Sequence, residues 1–251
     1  MTHPALSQLD HRPWPILTGA WTWRQCWRDL LFLHWPVPAR DLQRFVPEAL
    51  RVQEFDGTSW IGLVPFRMTG VMRRPWPDLP WVSAFPELNV RIYVEQGGKP
   101  GVWFLSLDAT NALAVWAARR FFHLPYHKAR MSLRGANGAI QYDSERAGAV
   151  LEAVYRPTSD VYRALPGTLE HWLTERYCLY ALAPDGSLWR NEVHHAPWPL
   201  QRAEAEILRN TYFAVHGLDV RGPPAHLHFA SELSVVVWAG ESCANERANC
   251  R

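Results

Sequence analysis

Lysine is nearly absent. Among 26 Lys and Arg residues only Lys99 and Lys128 are lysines, so amine chemistry is confined to two positions. Cysteine is scarce too: Cys26, Cys178, Cys243 and Cys250 form no CxxC pair. That argues against a disulfide framework and against a cysteine-built zinc site. No apolar run reaches the ~18 residues of a membrane span. The opening MTHPALSQLDHRPWP has neither a basic start nor an apolar core, unlike a secretory signal. Net charge is only +2, and no dense basic cluster accompanies a nucleic-acid motif. GxGxxG, Walker and GxSxG loops are missing, which disfavours nucleotide use and elbow-type serine hydrolysis. Together these absences predict a soluble cytoplasmic protein with reduced thiols, no membrane or nucleic-acid partner and no cofactor.

What the chain has is aromatic residues and turns. Its 14 Trp and 20 Pro suit short strands joined by rigid connections. The clearest hairpin is FPELNVRIYVEQGGKPGVWFLSLDA, Phe85 to Ala109. Leu88, Val90, Ile92 and Val94 alternate with Glu87, Asn89, Arg91, Tyr93 and Glu95, the period of a strand with two unlike faces. The Gly97–Gly101 stretch turns it. Folding the arms about the Gly98–Lys99 bond sets Arg91 opposite Ser106, Asn89 opposite Asp108 and Tyr93 opposite Phe104. One face then gathers Glu87, Asn89, Arg91, Tyr93, Ser106 and Asp108. Such a face is ordinarily the wet side of an antiparallel sheet. Here it mixes acid, base, amide and hydroxyl, flanked by Phe85, Trp103 and Phe104, aromatics that are expensive to leave wet.

Along the chain, residues 1–17 suggest a loosely held N-terminal arm. Cys26–Trp35 is long and apolar enough for a strand. Pro38–Phe45 suits a short helix with Pro in its first turn. Leu50–Phe55 and Thr58–Val71 form a hairpin about Asp56-Gly57. The Pro-rich stretch from Arg73 to Val82 is a rim loop or lid. Thr110–Phe122 is the main helix, capped by Asp108, Thr110 or Asn111, with Leu113, Trp116, Ala117, Arg120 and Phe121 facing inward. Later strands are expected at Tyr126–Leu133, Ala139–Glu145, Val150–Arg156, Arg176–Leu182, Leu188–His195 and His226–Trp238. Residues 18–240 contain no internal boundary and suggest one domain, with 241–251 a disordered tail.

Three constellations bear on chemistry. Lys128 shares a strand face with Tyr126, Arg130 and Ser132, an arrangement that can activate an amine for imine formation. An exposed lysine is the plainer reading. His226 and His228 lie on one strand face about 6.5 Å apart, with His194, His195 and His216 as further metal-ligand candidates, but no HExxH supports them. Ser106, Asp108 and a histidine have triad chemistry, although Ser106 sits mid-strand.

WRDLLFLHWPVP, FDGTSWIGLVPFRM, FPELNVRIYV, GVWFLSLDA, LPYHKARM, TERYCLYAL and VHHAPWPL resemble the successive motifs of the YqjF-like family of uncharacterised bacterial proteins. That family lies in the acetoacetate-decarboxylase-like superfamily. The resemblance runs from about Trp27 to Trp238. It implies a mostly β, α+β single-domain antiparallel β-barrel with a few helices, its polar hairpin face turned into a small-molecule cavity. Glu87 would hold the place of the decarboxylase's cavity glutamate. The chain departs from the decarboxylases at their two adjacent lysines, which follow a Pro directly. Here Pro125 is followed by Tyr126, His127 and Lys128, so the Schiff-base position is a tyrosine.

The combined expectation is a polar cavity that binds or transforms a small anion, a carboxylate in type. Asn89, Arg91, Tyr93, Ser106 and Asp108 would bind it, and Glu87, Tyr126, His127 and Lys128 would be the catalytic candidates. A homo-oligomer is compatible with this. Two alternatives follow from the same residues: a non-catalytic interaction barrel filled by side chains, and a His-ligated metal hydrolase. Trp116 and Phe121 are expected to be buried.

Overall fold

The computed structural model describes residues 3–76 and 83–243. In chain order the strands and α-helices are β1 (Trp23–Val37), α1 (Ala39–Gln43), β2 (Arg51–Val52), β3 (Ser59–Arg73), β4 (Phe85–Gln96) and β5 (Lys99–Ala109). Then come α2 (Ala112–Phe122), β6 (Tyr126–Lys128), β7 (Arg130–Ala136), β8 (Ala139–Arg146), β9 (Ala149–Pro157) and α3 (Leu169–Thr174). The chain continues through β10 (Cys178–Leu182), β11 (Leu188–His195), β12 (Leu200–Asn210), β13 (His226–Val237) and β14 (Glu241–Ser242). The protein is mostly β, as its patterning predicts.

The strands pair in the order β11-β10-β5-β4-β3-β1-β13. Val193, His194 and His195 of β11 pair in turn with Val237, Val236 and Val235 of β13, which closes a ring. The ring is not purely antiparallel. β10 and β6 both run parallel to β5, beside Val102 and Trp103 and beside its last three residues respectively. Parallel neighbours need a crossover connection rather than a tight turn; α2 lies in the connection to β6, and α3 in the connection to β10.

From β13 the sheet runs on through β12, β9, β8 and β7. This wing folds over the outer side of the ring. Ile140, Tyr142, Leu151, Ala153 and Tyr155 pack with Leu88, Val90, Ile92 and Val94 of β4. A second apolar cluster fills the inner side, with Phe32, Phe66, Leu107, Val193, Trp198 and Val235 among its members. Both faces of β4 are therefore covered, and the wet-sheet reading of its polar face falls.

Four expectations change. The N-terminal arm is pinned. Its Pro4–Ser7 turn buries Ala5, and Arg12 pairs with Glu192 at 2.8 Å with both side chains almost fully buried. The tail begins as structure: Glu241 and Ser242 pair with β11 and Cys243 is buried. Residues 244–251, with 77–82 of the expected rim loop, lie outside the described residues. Phe55 and Thr58 do bridge across Asp56-Gly57, but β2 then pairs with β4 instead of β3. The last change is in α2. Asn111 caps it as expected, yet Leu113, Trp116 and Phe121 are exposed. Its inward face is Ala114, Val115, Ala118 and Phe122. Small alanines at 114 and 118 allow the helix to approach the ring closely, with Phe122 as the single aromatic on that face.

Candidate active site

The β4–β5 hairpin sets the site. Gly97 and Gly98 form its two-residue turn, both with positive φ, the backbone a type I′ turn requires. Near the turn the register places Tyr93 opposite Val102 and Arg91 opposite Phe104. This differs from the expected partners by two residues and keeps their faces. Leu105 is then bulged out, because Val90 pairs with Ser106. One extra residue reverses every face beyond it. Leu107 now sits beside Asn89 on the inner side, and Asp108 beside Leu88 on the outer side. The expected six-residue face is thus split. Glu87, Asn89, Arg91 and Tyr93 point into the ring, and Ser106 and Asp108 point to the wing.

On the wing side Asp108 accepts both its contacts to Arg146 Nε at 2.8 Å and one from Tyr212 Oη at 2.7 Å. Ser106 Oγ lies 3.0 Å from His216 Nε2. His127 follows the same side, since β6 sets it beside Asp108. Its imidazole is held below its usual pKa by burial and then by Arg146. Ser106 and Asp108 are fully buried and satisfied within this cluster, so neither reaches the cavity.

Inside the ring is a cavity of about 160 Å³. Glu87, Asn89, Arg91, Tyr126, Arg176 and His195 contribute its polar wall. The rest is largely apolar, with Leu30, Phe66, Phe104, Leu107 and Trp198 among its residues. It is neither the filled lumen of an interaction barrel nor the polar cavity expected. It is smaller than typical ligand sites of several hundred Å³, yet similar to the ~150 Å³ engineered cavity that takes benzene.

Two buried arginines dominate it. Arg91 donates from Nε to Tyr93 Oη at 3.1 Å and from Nη2 to the Leu173 carbonyl at 3.1 Å. Its Cζ lies 5.0 Å from the Phe32 ring and 5.3 Å from Tyr93. Gly62 makes this path possible, because a Cβ there would sit 3.2 Å from Arg91 Cγ. Arg176 donates to the Trp172 carbonyl at 2.7 Å and to Gln53 Oε1 at 2.5 Å, while its Nη2 has no partner. It lies 5.0 Å from the same Tyr93 ring. Burial, and then Arg91, push the Arg176 pKa down to about 10, with Tyr93 acting in the opposite direction. Neither guanidinium contacts a carboxylate among the described residues. Glu95 reaches Arg176 only through Gln53.

The expected acid partners are engaged elsewhere. Asp108 is on the other face. Glu87 accepts from Tyr126 Oη at 2.8 Å, and burial drives its pKa up to about 8, with Asp108 adding to the rise and Tyr126 opposing it. Burial thus favours the neutral form of Glu87, whose carboxyl group meets Tyr126 and neither guanidinium. Asn89 Oδ1 between them is buried without a partner. Beneath Arg91, Tyr93 Oη is 2.5 Å from His34 Nε2.

Neither lysine lines the cavity, and Lys128 is exposed at the end of β6. Tyr126, not Lys128, reaches Glu87. The histidines also disperse: His194 Nε2 meets the Ala5 carbonyl at 2.8 Å, and His228 Nε2 meets Glu170 at 3.3 Å. His226 and His228 do stack, with centroids 6.3 Å apart. Among the described residues no three His, Cys, Asp or Glu side chains gather as a metal site. Arg176 escaped the sequence reading. Its only signal is a lone cation two residues before Cys178 on an otherwise apolar strand.

A family profile described as an uncharacterized conserved protein, DUF2071, matches residues 24–234. The chain belongs to the DUF2071 family. It is 44% identical over 223 residues to the uncharacterized protein YqjF of Bacillus subtilis (strain 168), covering 88% of this chain and 92% of that protein. Among solved structures, the acetoacetate decarboxylase of Legionella pneumophila subsp. pneumophila str. Philadelphia 1 matches with a TM-score of 0.61 at 13% identity, over 93% of each chain. The enduracididine biosynthesis enzyme MppR complexed with pyruvate matches with a TM-score of 0.62 at 13% identity, over 91% of this chain and 92% of that one. The fold of this DUF2071 protein is thus that of the acetoacetate-decarboxylase-like proteins. At such identities the likeness is one of fold alone. Among the described residues no helix is long and apolar enough to cross a membrane.

Proposed function

We propose that this protein binds a small carboxylate inside the ring and acts on it by acid–base chemistry without an imine. The carrying observation is that Arg91 and Arg176 are both buried on one cavity wall with no carboxylate in contact. Two uncompensated cations in low dielectric cost several kcal/mol. An entering carboxylate supplies the missing counter-charge and fits a guanidinium in a bidentate pair. MppR, whose fold this chain shares, was captured with pyruvate.

In this reading Arg91 is the main anion contact, with Arg176 beside it and Tyr93 positioning Arg91. Asn89 orients the ligand. Glu87 is the general acid or base: a carboxyl group with a pKa near 8 is poised to exchange a proton around neutral pH. Tyr126 holds it in place. Ser106, Asp108, His127 and Lys128 have no part in the site. The test is isothermal titration calorimetry with pyruvate on the wild type and on Arg91→Met. Binding that falls at least about tenfold in the variant, the loss of one charge-assisted contact, is expected. Pyruvate binding unchanged by Arg91→Met overturns the reading.

A further inference from the structure

Resting on the carboxylate reading above, we infer that the ligand is amphipathic: a monocarboxylate carrying an apolar body of about phenyl size, or a chain of about six to eight carbons. Glu87, Asn89 and Arg91 lie along one strand face, so the backbones of Arg91 and Glu87 are about 13 Å apart. The cavity's charge is concentrated where Arg91 meets Arg176. Much of the remaining wall is Val64 and Phe66 from β3, Phe104 and Leu107 from β5, and Ala118 and Phe122 from α2, with Gln25, Thr174 and the indoles of Trp27 and Trp198 interrupting it. None of the six side chains from β3, β5 and α2 has a polar atom. A ligand of two or three carbons seated on Arg91 leaves those six side chains against water that finds few partners beside them, an unfavourable arrangement. A ligand with an apolar body covers it. The volume of about 160 Å³ sets the size, since a cavity of ~150 Å³ takes benzene.

The inward face of α2 shows where that body lies. Ala114, Ala117 and Ala118 line the cavity, and their small side chains leave the space that larger ones would fill. Neither arginine is on that helix, so the apolar end can be changed without touching the anion contact.

The experiment is calorimetric titration of butanoate, hexanoate, octanoate and 3-phenylpropanoate, with pyruvate and octan-1-ol as references. Each added methylene is expected to tighten binding about fourfold as far as the cavity accepts it. Octanoate and 3-phenylpropanoate should bind at least about tenfold tighter than butanoate, and octan-1-ol should bind far more weakly than octanoate. Ala118→Leu should weaken octanoate by a larger factor than butanoate, and equal weakening of both overturns the inference. If butanoate and pyruvate bind as tightly as octanoate, and all need Arg91, the apolar body is overturned and the carboxylate site stands. If no carboxylate binds, or binding ignores Arg91→Met, both fall. Equal binding of octan-1-ol and octanoate also overturns the inference.

Discussion

Tyr126 Oη donates to Glu87 Oε2 at 2.8 Å in the interior of the ring, joining a strand that follows the main helix to the first arm of the central hairpin. Burial raises the Glu87 pKa to about 8 and outweighs the help that the tyrosine gives the anion. From its ordinary 4.5 up to about 8, Glu87 holds a proton that the unfolded chain has released. The folded state then binds more protons than the unfolded state, so stability falls as pH rises through that window. The loss should be on the order of 4 kcal/mol. Glu87→Gln keeps an acceptor for Tyr126 and should flatten the profile. Urea denaturation from about pH 5 to 9 checks it; a wild-type profile no steeper than the variant's would sink the idea.

Arg91→Met should separate stability from binding. Replacing a buried cation that lacks a counter-charge by an apolar side chain of similar length removes its desolvation cost, which offsets the lost hydrogen bonds to Tyr93 and the Leu173 carbonyl. Thermal melting should show an equal or higher Tm while carboxylate binding is lost. A markedly lower Tm would instead mark Arg91 as a structural residue held by Tyr93 and Leu173.

Asp108→Asn probes the bulge. It leaves Arg146 without its carboxylate on the wing side and should cost about 3 kcal/mol. Pyruvate affinity should stay within about twofold, because Asp108 faces away from the cavity and contacts neither arginine. A large loss of affinity would mean that Asp108 acts through the ring after all.

Pyruvate or acetoacetate with borohydride should leave no mass adduct. The two amines are outside the cavity, and Tyr126 cannot form an imine. An adduct that disappears in Lys128→Ala would show a ligand pose outside the ring and refute imine-free chemistry.

Arg12→Ala should destabilise the protein by about 3 kcal/mol, the cost of breaking a buried ion pair. Arg12 also donates to the Val193 carbonyl at 2.7 Å, so the arm should become protease-sensitive. Limited proteolysis that leaves the arm as resistant as in the wild type would show that Arg12 does not hold it.

Period-two alternation made β4 legible, and with it the shared direction of Glu87, Asn89 and Arg91, because side-chain parity within a strand is local geometry. The glycines at the turn and the Asn111 cap were legible for the same reason. Pairing across strands was not. The bulge at Leu105 is decided by what each side of the hairpin must bury, with Leu107 in the inner cluster and Asp108 against Arg146 and Tyr212, and no pattern in β5 alone announces it. The face of α2 depends on its neighbours in the same way: aromatic size suggests burial of Trp116 and Phe121, but the ring receives Ala114, Val115, Ala118 and Phe122. Arg176 joined Arg91 only through tertiary structure, which brings the start of β10 beside β5 and sets both guanidiniums near Tyr93. The sequence by itself determined which side chains share a strand face; only the folded ring decided which faces meet, because burial and charge compensation are properties of neighbours distant along the chain.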